Sequence, residues 1–436
     1  MSRLRLLAVA GALSLGACVD DDQSLIVAPP PSSGVGTGGV SYFDRYVALG
    51  NSITAGYQSG GLVDTLQLNS YANILATRAG ATFNVPLVAR PGTPVPFVAP
   101  LVPAANQTPS RARTGASAQF NIVQNVAVPG ARLVDLLRLP PATSGPGQLN
   151  LLLVGPRSQV RAMKEAQPTF VSAWAGNNDA LEATVGGVLG PLAAGADSSL
   201  TPLATFQAQL NQLVDSIKAA GPRGAMLVGV VNAIDAVPLI QPGAFFFLAR
   251  DANGNFQGKP VNANCSPVNQ LGQRNPLASN FVSFQILSST VAEIDCSGTT
   301  AGGAFVLDAA EQAVVRARVT AFNQAIEAAA IANQWVYVDP NPILRSFLTV
   351  RTSGRTNRIR KCQDLATATT AAQFQSAVLN TCPVTGTTAA PNFFGSLISF
   401  DGVHPSTEAH RILAGRFGAA INTRYGTTLS TSETAQ

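Results

Sequence analysis

Ser52 lies in Leu49-Gly50-Asn51-Ser52-Ile53-Thr54-Ala55-Gly56, directly after the apolar run Tyr46–Leu49. A buried strand that ends in a Gly-rich turn delivers a hydroxyl to the rim of a sheet, and the glycines permit a tight turn there. A serine in that place is either a nucleophile or a turn and helix-cap residue. A nucleophilic serine needs a base, and the chain holds only two imidazoles, His404 and His410. His404 follows Asp401 in Asp401-Gly402-Val403-His404-Pro405. That spacing lets the carboxylate fold back within one turn, fix the imidazole tautomer and stabilise the imidazolium. The bland alternative is a turn aspartate beside a bystander histidine. His410 falls inside the helical stretch that follows, as a packed or solvated side chain. Acyl transfer also needs donors for an oxyanion. Gly130, in Asn125-Val126-Ala127-Val128-Pro129-Gly130-Ala131, offers a backbone N–H. Asn178, in Ala175-Gly176-Asn177-Asn178-Asp179, offers a side-chain amide. Taken alone, Gly130 reads equally as a helix start and Asn178 as a polar turn.

These residues need a scaffold that brings distant parts of the chain to one rim. Short apolar runs at Tyr46–Leu49, Phe170–Trp174, Ala225–Val231 and Val336–Val338 read as buried strands. Between them come segments with helical spacing: Ser70–Arg78, Ser158–Glu165, Thr205–Ala219, Ala309–Ala332 and Thr407–Ala420. Strands alternating with helices predict an α/β fold, with a mostly parallel sheet covered on both faces. Right-handed crossovers then place all strand C-termini on one edge, where such proteins bind ligands. Three stretches break the rhythm: Val85–Gln119, Pro242–Gly303 and Arg351–Asn392. Loops this long are functional or disordered more often than not.

Together, in order and wording, the four blocks resemble the SGNH (GDSL-type) hydrolase family. Gly50-Asn51-Ser52-Ile53 matches the first block, Gly130 the second, Gly176-Asn177-Asn178-Asp179 the third and Asp401-Gly402-Val403-His404-Pro405 the fifth. The likeness spans about residues 42–425 and leaves the long insertions unmatched. It implies a flavodoxin-like three-layer α/β/α sandwich with a parallel sheet of about five strands. It implies Ser52 as nucleophile, His404 as base and Asp401 as its orienting partner. The oxyanion hole would come from the Ser52 N–H, the Gly130 N–H and the Asn178 side chain, with no metal and no cofactor. The chain departs from the family at Asn51, where an aspartate is usual, and no G-x-S-x-G elbow occurs anywhere. The expected function is a serine esterase that hydrolyses carboxylic esters, with short or medium acyl chains or lipids as substrates, through an acyl-enzyme. The alternatives are a carbohydrate O-deacetylase and a non-catalytic surface binding protein on the same scaffold. Val85–Pro103 (with Phe97, Leu101 and Val102) and Phe245–Leu248 either wall an acyl pocket or simply pack beneath an insertion.

Composition sets the surroundings. The chain has 436 residues, 46% hydrophobic and only 12% charged, which excludes a disordered polyelectrolyte. The net charge of +5 is scattered and not interleaved with aromatics, so nucleic-acid binding has no patch to use. Two histidines and no C-x-x-C pair give a zinc cluster poor support. Residues 1–17 carry Arg3, Arg5 and the apolar run Leu6–Ala17, a signal peptide too short to span a membrane. It ends Leu15-Gly16-Ala17-Cys18, which resembles a bacterial lipobox with Cys18 as the acylated residue. Val19 in place of an acidic residue implies an outer-membrane address, on either the periplasmic or the surface face. Acyl chains on Cys18 would anchor the protein to the membrane without a spanning helix. Residues 18–41 form a flexible tether, whose G-x-G-x-x-G (Gly34, Gly36, Gly39) lacks the strand and helix that a dinucleotide site requires. The hydrolase domain is expected over 42–425, with insertions at about 242–303 and 351–392 and a tail at 426–436. Four cysteines remain for an oxidising compartment. Neighbour pairing gives Cys265–Cys296 and Cys362–Cys382, one of three possible connectivities. The oligomeric state is left open.

Overall fold

The computed structural model describes residues 41–185, 199–299, 305–348, 358–362, 368, 370–381 and 393–434. The expected signal peptide, Cys18, nearly all of the tether, Cys382 and most of 351–392 lie outside the described residues.

Four parallel strands form the central sheet: β1 (Tyr46–Gly50), β2 (Phe170–Trp174), β3 (Gly224–Val228) and β4 (Val336–Val338), in that spatial order. Tyr46 pairs with Phe170, Phe170 with Gly224 and Met226 with Val336. Every residue of β1, β2 and β3 is buried, because helices cover both faces and the strands are apolar throughout. The period of two sorts the side chains between faces. Val47, Leu49, Val171, Ala173, Ala225 and Leu227 pack with helices Gln159–Glu165, Leu203–Ala220 and Ala309–Ala332. Tyr46, Ala48, Phe170, Trp174, Met226 and Val228 face the opposite layer, helices Tyr71–Arg78 and Thr407–Tyr425. This is the expected three-layer sandwich. The fifth place, beside β1, is filled by an irregular extended segment. Ala48 N donates to Gln124 O (2.8 Å), Val126 N to Ala48 O (2.9 Å) and Val128 N to Gly50 O (3.1 Å), a parallel pattern on one side only. Pro129 and Gly130 end it at the same rim as β1.

Local chemistry fixes the helix ends. Ser70, Ser158 and Ser406 each cap a helix through the side-chain oxygen. Asp308 and Glu311 form a reciprocal capping box on Ala309–Ala332. Residues 427–434 run back along the final helix, and Gly415 leaves room for them: a Cβ there would lie 2.8 Å from Thr431 O.

The first insertion has its own small architecture. Ile240–Pro242, Phe281–Ser283 and Val306–Leu307 form a three-stranded antiparallel sheet. Cys265–Cys296 is a disulfide, as expected, and Gly243 sits against it, where a Cβ would lie 2.1 Å from Cys296 Sγ. The core beneath contains Phe245, Phe246, Phe256, Phe284, Phe393 and Phe394. The second insertion is tied to the first by Lys361, wholly buried, which donates to Ile240 O at 2.5 Å and stands 4.3 Å from the Phe281 ring centroid. Cys362 is disulfide-bonded; its expected partner, Cys382, lies outside the described residues. Among the described residues no helix is long and apolar enough to cross a membrane.

Candidate active site

Ser52 opens a one-turn helix, Ser52–Ala55, at the end of β1. The turn from strand to helix requires Gly50: a Cβ there would lie 2.5 Å from both Thr54 Oγ1 and Trp174 O. Asn51 is fully buried and caps the helix, its Oδ1 accepting from Ile53 N at 3.3 Å. An amide thus holds the loop where the family usually has a carboxylate.

His404 lies within reach of Ser52 although 352 residues separate them, with Nε2 at 2.8 Å from Ser52 Oγ. Its Nδ1 is 2.8 Å from Asp401 Oδ2. The loop between Asp401 and His404 winds around the carboxylate. Oδ1 accepts from Val403 N and His404 N, both at 2.8 Å, and from Ser399 Oγ at 3.2 Å. Oδ2 also accepts from Gly60 N at 2.7 Å. Burial alone would push this carboxyl up; the His404 charge and the converging donors outweigh it and hold the pKa at about 2. Asp401 is therefore an anion with every lone pair engaged. His410 is a different case. It is fully buried, its Nδ1 accepts from Tyr71 N at 3.2 Å, and burial, then the charge of His404, lowers its pKa to about 3. It packs as a neutral side chain.

Two of the three expected oxyanion donors, Gly130 and Asn178, meet at one turn. Gly130 is exposed, has φ +78° and follows the Val128–Pro129 end of the extra edge segment. Asn178 begins the helix Asn178–Val185 after β2 and donates through Nδ2 to Ala131 O at 2.8 Å, which leaves its second amide hydrogen unused. The N–H groups of Ser52 and Gly130 have no acceptor among the described residues. The block around Asn178 is fastened on each side. Asn177 Oδ1 accepts from Val231 N at 2.9 Å. Asp179 accepts from Leu133 N and Thr201 Oγ1, both at 2.8 Å, and burial, only partly offset by these bonds, raises its pKa to about 6.

Beside Ser52 and His404 opens an apolar cavity of about 60 Å³. Its walls are Leu181, Val237, Ile343, Leu344, Phe347 and Ile398, with Trp174 also lining it. Of the two readings of Val85–Pro103 and Phe245–Leu248, pocket wall or packing, packing holds: none of Phe97, Leu101, Val102 and Phe245–Leu248 lines the cavity. Phe245 and Phe246 are buried in the insertion's aromatic core. Phe97 covers Gly60, with ring atoms 3.0 Å from where a Cβ would stand. Leu101 is tied to Phe400 O by its N–H (2.8 Å), and Val102 is exposed.

Two further contributors were not singled out from sequence. Tyr57 sits with its ring centroid 4.7 Å from that of His404, and its hydroxyl donates to Gly60 O at 2.5 Å. Nothing in spacing marks it; only the glycines around it signal a tight loop. The short helix Pro340–Leu348 supplies three cavity residues, and its Ile343, Leu344 and Phe347 do carry a legible helical stripe.

A doubly covered parallel sheet with a Ser–His–Asp line at its C-terminal rim defines a class of α/β proteins equipped for proton transfer to and from a serine hydroxyl. Within that class the chain belongs to the GDSL-like lipase/acylhydrolase family, whose model matches residues 46–417. It is thus an ester-hydrolysing enzyme by family. No curated protein matches the chain. Among solved structures, it is similar to a catalytic mutant of the acetylxylan esterase Axe2 from Geobacillus stearothermophilus, at 13% identity and TM-score 0.35, over 92% of this chain and 99% of that one. It is also similar to LAE5, an alpha/beta hydrolase enzyme from the metagenome of Lake Arreo, Spain, at 12% identity and TM-score 0.33, over 87% and 96%.

Proposed function

We propose that the protein is a serine esterase acting on esters of short to medium acyl chains, anchored in the cell envelope through Cys18. The observation that carries the reading is the unbroken line Ser52 Oγ, His404 Nε2, His404 Nδ1, Asp401 Oδ2, with both hydrogen bonds 2.8 Å long. In this reading His404 takes the Ser52 proton as Oγ attacks the ester carbonyl. The carbonyl oxygen becomes an oxyanion held by the N–H groups of Ser52 and Gly130 and by Asn178 Nδ2. His404 then gives the proton to the leaving alcohol oxygen, the bond from the acyl carbon to that oxygen breaks, and an acyl-Ser52 remains. Water, deprotonated by His404, attacks it and restores Ser52.

The cavity favours an acyl chain over a bare acetyl group. Its volume holds roughly four to six water-sized groups, on the order of 10–15 Å³ of such volume each. Its walls are aliphatic and aromatic, so each methylene it accepts adds roughly 0.8 kcal/mol of burial. Hydrolysis of p-nitrophenyl acetate, butyrate and octanoate tests this. The expected order of kcat/KM is butyrate above acetate, with octanoate lower. A preference for acetate would move the reading to the O-deacetylase. The envelope anchor rests on the Leu15-Gly16-Ala17-Cys18 pattern, and mass spectrometry of the mature N-terminus for an acylated Cys18 tests it.

A further inference from the structure

A second concavity, a groove of about 980 Å³, lies along the helix Gly145–Leu153. Its opposite wall is the segment Pro109–Arg113, together with Thr93 and Pro94. Both walls begin beside the candidate active site. Pro146 lies against Gly130, with Cγ 3.2 Å from where a Cβ would stand. Pro94 O accepts from Leu62 N at 3.3 Å, next to the Gly60–Gly61 turn that holds Asp401. The apolar cavity lies elsewhere, against Leu181, Val237 and Phe347. An ester bound at Ser52 has two arms, so one concavity is left for each.

The groove has a chemical character of its own. Arg111 and Arg113 flank Ala112, where the chain bends, and the segment is pinned by Ala89 N to Ala112 O (3.0 Å) and Thr114 N to Leu87 O (2.8 Å). Both side chains line the groove. Arg111 is exposed, and Arg113 reaches only Phe120 O and Ala118 O, each at a long 3.5 Å. Neither guanidinium meets a carboxylate among the described residues, and no acidic residue lines the groove. Burial and the nearby charge of Arg157 both disfavour the cationic form of Arg113. Two uncompensated guanidiniums on one wall form a cradle for an anion, which an Arg fork binds with two parallel hydrogen bonds.

We propose that this groove receives the alcohol part of the ester and that this part is anionic, with a carboxylate or phosphate held by Arg111 and Arg113. The inference rests on the reading of Ser52 as nucleophile. The test compares 4-(butanoyloxy)benzoate, 4-(butanoyloxy)phenyl phosphate and the neutral methyl 4-(butanoyloxy)benzoate. The wild type should prefer an anionic ester, and the better of the two names the anion. In Arg111→Gln/Arg113→Gln the anionic-to-neutral ratio of kcat/KM should fall about tenfold, the scale of one charge-assisted pair. Arg111→Glu, at an exposed position that does not threaten folding, should lower the ratio at least as far. An unchanged ratio in both variants overturns the proposal. Calorimetric binding of 4-hydroxybenzoate reads the groove without turnover. Binding lost in Arg111→Glu supports the groove even if no ester is cleaved, in which case only the Ser52 reading fails. No binding to the wild type, or binding insensitive to Arg111, overturns the groove and leaves Ser52 untouched.

Discussion

Replacing Asp401 by asparagine should disable the protein without unfolding it. Asp401 Oδ1 accepts three hydrogen bonds and Oδ2 accepts two, from Gly60 N and His404 Nδ1. An amide has one oxygen. It keeps most bonds by placing that oxygen at the Oδ1 site, which puts an NH₂ opposite the Gly60 N–H and His404 Nδ1. His404 then accepts at Nδ1 and carries its proton on Nε2, facing Ser52 Oγ. A protonated Nε2 cannot take the serine proton, so the expected loss in kcat is on the order of 10⁴, about 5.5 kcal/mol of barrier. The half-buried Gly60 N–H left without an acceptor costs about 1 kcal/mol of folding stability. Acid removes part of that difference. The Asp401 pKa is depressed to about 2, so its stabilising contribution exists above the ordinary carboxylate range and is lost as pH falls through about 2. The melting temperatures of wild type and Asp401→Asn should therefore converge in acid. Single-turnover release of p-nitrophenol from the butyrate ester, with a thermal melt at the same pH, measures both effects. A variant that keeps a tenth of the wild-type kcat would refute the tautomer argument.

Asn178→Ala should lower kcat about 10²- to 10³-fold with little change in KM, because the amide is asked to act on the oxyanion rather than the ground state; an effect confined to KM would reassign it to substrate binding. Asp179→Asn should gain stability over the wild type as pH rises. The folded pKa of about 6 lies above the ordinary value, so the aspartate's favourable contribution is complete below about pH 4 and lost as pH rises through 6. The difference is at most about 3 kcal/mol at neutral pH, and melts at pH 4 and 7 with the same offset would contradict it. Reduction of Cys265–Cys296 releases a loop of 31 residues, worth about 4 kcal/mol in the chain-entropy picture. Hydrogen exchange should then rise across Ile240–Leu307 while β1, β2 and β3 keep their protection; equal loss in both would show that the insertion and sheet unfold together.

The strands were readable because each is a short apolar run between helices with a clear periodicity. Phe170–Trp174, Val336–Val338 and Ala309–Ala332 stand where the sequence puts them. The third strand is shorter than Ala225–Val231, since beyond Gly229, whose N–H still reaches Val338 O, the amides bond to side chains: Val230 N to Asn323 Oδ1 and Val231 N to Asn177 Oδ1. The segment beside β1 was not readable as a strand, because it pairs on one side only and ends in Pro129-Gly130. The convergence of Ser52, Asp401 and His404 was legible because the proposed proton transfer demands particular side chains at particular spacings. The cavity walls were not. Any apolar side chain can line a cavity, and whether Phe245 or Phe347 does so depends on which segment packs against the rim. Tyr57 and Gly60 escaped notice for a related reason: one acts through a ring face and the other through a backbone N–H, neither of which leaves a pattern in sequence.

The most direct test of the account is covalent trapping. A fluorophosphonate incubated with the wild type should label Ser52 alone, as located by peptide mass spectrometry. Labelling should vanish in Ser52→Ala and fall sharply in Asp401→Asn, together with butyrate hydrolysis. Label on another residue, or ester hydrolysis that survives in Ser52→Ala, would contradict the central claim that Ser52, His404 and Asp401 act as one unit.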